Sequence, residues 1–156
     1  MLSVQKLGFL VAMIAVPLTL NAQVIRIRVI NASNGRPMQR QNVSLTLLYT
    51  KDQKAPPKYD ANLRSETDAS GETQFHLPEP APVHFSVKVR LTSEYWHCMC
   101  LVIGDTQDLI QKGLVQPASN NPAAPDTKPK REPGVVLFLA RPFTFFERLL
   151  YPLMKE

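Results

Sequence analysis

Cys98 and Cys100, with His97 beside them, are the residues whose types and spacing come nearest to chemistry, because thiolates and imidazole can hold a metal or exchange electrons. Side chains alternate along an extended strand, so Cys98 and Cys100 share a side and His97 faces the other. A structural metal needs about four ligands, and no second Cys/His cluster supplies the rest. The cysteines therefore read as buried thiols or as part of an intramolecular or intermolecular disulfide. A bridge between Cys98 and Cys100 would be strained on an extended strand.

Other candidates are weaker. Ser44, Ser65, Ser70 and Ser86 lie in no nucleophile-elbow sequence, and the three histidines show no base with an orienting partner. His76 and His84 would lie on adjacent strands, where a solvated cross-strand pair is a simpler reading than a metal site. Asp60, Glu66 and Asp68 sit in loop contexts that favour hydrogen bonding over general acid–base work. These residues specify no catalytic group, cofactor or metal, and the expectation is a noncatalytic protein.

The elements around these residues read as strands. Thr67 to Leu77, TDASGETQFHL, combines a polar turn at Asp68, Ser70 and Gly71 with alternation of Thr73, Phe75 and Leu77 against Glu72, Gln74 and His76. The same period places Ile25, Ile27 and Val29 on one face of Val24 to Ile30, with Arg26 and Arg28 opposite. It recurs at Val43 to Thr50 and at Val83 to Leu91. Arg64 to Thr67 is expected to pair only briefly, and Asn34-Gly35 suits a positive-φ turn. Tyr95 to Ile103, YWHCMCLVI, is the most apolar stretch of the exported chain and is predicted to be a core strand. Asp105 can cap a short helix within 104–111, and Val135 to Ala140 reads as a covered strand. Amphipathic strands must cover one another, which predicts an all-β, small antiparallel two-sheet sandwich with a short C-terminal helix.

The chain has 156 residues, 14 prolines and a formal charge of +5. Residues 7–20, LGFLVAMIAVPLTL, carry no charge and follow Lys6. The run is short for a membrane span and reads as the core of a signal peptide, residues 1–22. The expected organisation is then a β-sandwich domain at 23–115, a proline-rich linker or long loop at 116–134, a returning strand at 135–140 and an aromatic amphipathic segment at 142–156. The basic residues are scattered and accompany no recognition motif, which argues against a nucleic-acid partner. Asn42-Val43-Ser44 fits an N-glycosylation acceptor in a host that glycosylates exported chains.

Val24 to Ile103 resembles the carboxypeptidase regulatory-like, or transthyretin-like, domain family. The likeness runs through Ile27 to Ile30, Asn34-Gly35-Arg36-Pro37-Met38 and Val43 to Leu47. It is closest at Thr67-Asp68-Ala69-Ser70-Gly71, followed by Phe75 and Leu77-Pro78. The chain departs from the family pattern at Ala81-Pro82-Val83, which lacks a glycine before His84-Phe85, and at Tyr95-Trp96, where a glycine-tyrosine pair is usual. The resemblance implies a small sandwich that supports, connects or presents parts of cell-envelope and extracellular proteins.

The expected function is accordingly an exported structural or protein-interaction module, periplasmic, cell-envelope associated or secreted. Its partner would be an envelope or extracellular protein, contacted through Phe143, Phe145, Phe146, Leu149 and Leu150, with Phe143, Phe146 and Leu150 on one helical face and Leu153 continuing it. The same segment could instead dock on its own domain or make a peripheral membrane contact. The alternative function is carbohydrate binding, with Tyr59, Tyr95 and Trp96 as sugar platforms.

Overall fold

The computed structural model describes residues 23–49, 59–93, 95–118 and 129–151. The predicted signal peptide and the centre of the 116–134 segment lie outside the described residues, as does Leu153.

Among the described residues, nine strands and two short helices follow one another as β1 (Val24–Asn31), β2 (Asn42–Leu48), β3 (Tyr59–Glu66), β4 (Glu72–His76), β5 (His84–Arg90), β6 (Trp96–His97), β7 (Leu101–Asp105), α1 (Thr106–Lys112), β8 (Leu114–Gln116), β9 (Val135–Pro142) and α2 (Phe145–Leu150). One sheet has the order β4-β1-β9-β6, with β8 also paired to β9; the other has the order β3-β2-β5-β7. The alternating rows meet between the sheets. Ile25, Ile27, Val29, Val43, Leu45, Leu47, Phe85, Val87 and Phe138 are all buried.

The two-sheet, all-β architecture is as the alternation predicts, but the first sheet is mixed rather than antiparallel. β9 runs parallel to both β1 and β8, while all pairs in the second sheet are antiparallel. The run Val135 to Phe138 is buried residue after residue because β9 is a central strand, covered on both faces. Three further elements depart from expectation. β3 is an eight-residue strand rather than a brief pairing. β8 forms at the end of the domain and runs into the segment expected to be a linker. The stretch 95–103 is no single core strand: β6 and β7 belong to different sheets, and Leu101 and Ile103 point outward with only Val102 buried between them.

The Thr67–Gly71 turn fastens β1, β4 and the 36–41 connection. The Asp68 carboxylate accepts from Ser70 N (2.8 Å), Ser70 Oγ (2.6 Å) and Glu72 N (3.1 Å), and these bonds hold its pKa below the ordinary Asp value, the Ser70 hydroxyl contributing most. Thr67 is buried; its Oγ1 donates to Met38 O and accepts from Gln41 N. Gly71 has φ +70, and a Cβ there would lie 2.7 Å from Val29 O and 2.9 Å from Met38 N. Gly35 likewise takes φ +69 in the turn after β1.

Candidate interaction surface

α2 has six residues, too few to hold a helix in water without help. Thr144 closes a capping box, its side chain accepting from Glu147 N while Thr144 N donates to Glu147 Oε2 at 2.6 Å. Arg141, at the end of β9, grips the same carboxylate through two nitrogens at 2.9 and 3.2 Å. His97 Nε2, from β6, lies 3.0 Å from Glu147 Oε1. This convergence, led by the Arg141 guanidinium and the Thr144 N–H, holds the Glu147 carboxyl well below the usual carboxylate range.

An aromatic group backs the clamp. Phe143 packs against His97 (centroids 4.3 Å apart), Tyr151 (5.1 Å) and Tyr95 (6.3 Å), and Tyr151 also meets Tyr95 at 5.9 Å. Arg148 sits over the Tyr95 ring at 5.9 Å, within cation–π range. Phe143 N donates to Tyr95 O, and Trp96 and His97 pair with Pro142 and Arg141. The tail is thus seated on the β6–β9 edge by polar and ring contacts.

The apolar residues of α2 point the other way. At about 100° per residue, Phe145, Phe146, Leu149 and Leu150 fall within an arc of roughly 140°, opposite Glu147 and Tyr151. They are exposed to 75%, 72%, 64% and 50%, and α2 has no buried residue. Four of the five residues expected to contact a partner therefore share one solvent-facing patch. Phe143 does not: it precedes the helix and is half-buried in the aromatic group, so the expected face of Phe143, Phe146 and Leu150 is replaced by one built on Phe145 and Leu149.

The other candidates separate in space. Tyr59 pairs with Leu48 and Leu48 with His84, whereas Tyr95 follows Arg90, which pairs with Asn42 at the opposite end of β2. Six residues of strand, about 20 Å, part the backbone of Tyr59 from that of Arg90, and Trp96 lies on β6 of the other sheet. Cys98 and Cys100 are joined by a disulfide across a Cα–Cα distance of 5.0 Å, in the irregular connection between β6 and β7 rather than on an extended strand. His76 and His84 lie on strands of different sheets. Among the described residues no group of three or more His, Cys, Asp or Glu side chains could hold a metal ion, and Ser65 and Ser70 are bonded to Thr73 and Asp68.

The fold and the surface define an all-β sandwich that carries an apolar helix on one edge. No protein-family model matches the chain, and no curated protein matches it. Among solved structures the chain is similar to the full-length major pilin SpaD of Corynebacterium diphtheriae, with 11% identity and a TM-score of 0.48 over 78% of this chain and 30% of that chain. The chain thus spans less than a third of the pilin's length.

Proposed function

We propose that the protein is an exported, noncatalytic adaptor of the cell envelope or extracellular space, and that α2 is the element it offers to a protein partner. The carrying observation is the inverted helix, whose charged residues Glu147 and Arg148, with the flanking Phe143 and Tyr151, contact its own domain while Phe145, Phe146, Leu149 and Leu150 face water. Such a stripe, with anchors at i and i+4, suits an apolar groove on another protein, and buried aromatics there carry a large share of binding energy. Export is supported by the apolar run at 7–20 and by the Cys98–Cys100 bridge, which suits an oxidising compartment. Within the β-sandwiches, the Thr67–Gly71 turn supports the reading as a carboxypeptidase regulatory-like, transthyretin-like domain.

The test is removal of residues 144–156. The truncated chain should unfold cooperatively in urea near the wild-type midpoint while losing recovery of cross-linked envelope partners. Loss of cooperative unfolding would identify α2 as part of the core. The same patch defines a second reading, peripheral contact with a lipid surface. Among the described residues no helix is long and apolar enough to cross a membrane, and a surface helix gains from basic residues flanking its apolar face. Arg148, the one basic residue of α2, sits over Tyr95. Co-sedimentation with anionic vesicles that survives high salt, in the absence of a protein cross-link, would favour the lipid reading.

A further inference from the structure

The outward faces of the two sheets treat their cations differently. On β1, Arg28 is matched by Glu72 on β4, with Nη2 2.9 Å and Nε 3.0 Å from Oε2, and by Glu132 at 3.3 Å. Arg26 reaches the same Glu72 at 3.9 Å. On the second sheet, Arg64, Lys88 and Arg90 are exposed and take part in no ion pair among the described residues.

The pairing register explains how these cations meet. One row across the sheet reads Arg64, Ser44, Lys88, Leu101; the next reads Asn62, Thr46, Ser86, Ile103. In the first row the small Ser44 on central β2 thus lies between Arg64 on β3 and Lys88 on β5, about 10 Å apart across two strand spacings, and in the second the small Thr46 and Ser86 lie between Asn62 and Ile103. The result is an open trough of about 430 Å³ with a polar floor and cationic flanks. Arg90 and Asn42 continue it at one end, and Glu66, opposite Asn42, stands outside the lining.

We propose that this trough binds an acidic polysaccharide of the uronate type, a site distinct from the α2 surface. Three cations with no ion-pair partner among the described residues fit carboxylates spaced along a chain. The hydroxyls of Ser44, Thr46 and Ser86 and the amides of Asn42 and Asn62 fit the hydroxyls between those carboxylates. Two other polyanions fit less well. None of the described lining residues is aromatic, so among the described residues the trough has no stacking surface of the kind that single-stranded nucleic acids use. An acidic peptide lying along the middle of the trough would find no free backbone edge there, because β2 and β5 are each paired on both sides and the edges of the sheet are the outer sides of β3 and β7.

The test is titration of the purified full chain with polygalacturonate, using dextran and poly-glutamate as comparison polymers. The expected result is binding to polygalacturonate at low salt that weakens steeply as salt rises, with no binding to dextran and at least about fivefold weaker binding to poly-glutamate. Arg64→Ala with Lys88→Ala should weaken polygalacturonate binding by about tenfold or more at an unchanged urea midpoint. Thr46→Val, which suits the strand and removes one floor hydroxyl, should weaken polygalacturonate binding about threefold and leave poly-glutamate binding unchanged. Failure to bind polygalacturonate at low salt would overturn the proposal, as would binding indifferent to the Arg64 and Lys88 changes. Equal affinity for poly-glutamate would also overturn it, in favour of a nonspecific polyanion surface.

Discussion

The sandwich and α2 obey opposite rules. In the sandwich the apolar row of each strand turns inward and the charges face water, as at Ile25, Ile27 and Val29 against Arg26 and Arg28. In α2 the carboxylate of Glu147 faces the domain and two phenylalanines and two leucines face water. Removing apolar area from water stabilises by about 25 cal/mol per Å², so a helix that leaves its apolar face uncovered forgoes that contribution. What holds α2 instead is directional, a cap, a guanidinium clamp and a ring cluster. The inward rows make the fold, and the outward stripe is available for a partner.

The largest test of this contrast lies in the core. Phe138→Ala removes a fully buried side chain from central β9 and should cost about 3–5 kcal/mol in urea unfolding. A loss below 1 kcal/mol would contradict the packing described for β9. Gly71→Ala should cost about 1–3 kcal/mol, because the new Cβ would meet the Val29 carbonyl and the Met38 amide at a positive φ. At the other pole, combined Phe145→Ser, Phe146→Ser and Leu149→Ser should change stability by no more than about 0.5 kcal/mol per site while removing the partner contact. A loss of several kcal/mol would mean that these side chains are covered by the chain itself.

Smaller effects sharpen the account of the clamp. Glu147→Gln should raise amide exchange across residues 145–150 several-fold and leave exchange in β1 and β2 unchanged. The carboxylate's pKa is lowered in the folded chain from its reference value of 4.5, so the ionised form favours the seated tail. That contribution is fully present above the reference value and is lost as pH falls through the lowered one. Protection of α2 should therefore persist from pH 7 to pH 4.5 and fade in stronger acid. Fading already between pH 7 and pH 5 would contradict the clamp.

Much of the sandwich was legible because period-2 alternation directly encodes which side chains face inward. The rows at 25–29, 43–47 and 85–89 and the Asp105 cap of α1 could be read residue by residue. Asp105 Oδ1 accepts from Gln107 N and Asp108 N, as its place before the helix suggests. Strand direction could not be read that way: the covered character of Val135 to Ala140 is the same for parallel and antiparallel neighbours. At 95–103 hydrophobicity misled, since apolar content does not distinguish one core strand from two edge strands joined through Cys98 and Cys100. For the candidate surface, composition singled out the aromatic tail. Its orientation depends on His97 meeting Glu147 across 50 residues of chain, a pairing no local pattern encodes. The outward cations of the second sheet were visible as polar positions, but their row required the cross-strand register.

The central claim is that α2 turns its apolar face to another protein, and a photo-crosslinking residue at position 146, introduced into the full chain in its native envelope, tests it most directly. The expected result is a discrete adduct with one envelope protein that disappears when Phe145 and Leu149 are both changed to serine. Adducts confined to the protein's own sandwich would contradict the claim, placing Phe146 against its own domain and making α2 an element of the fold.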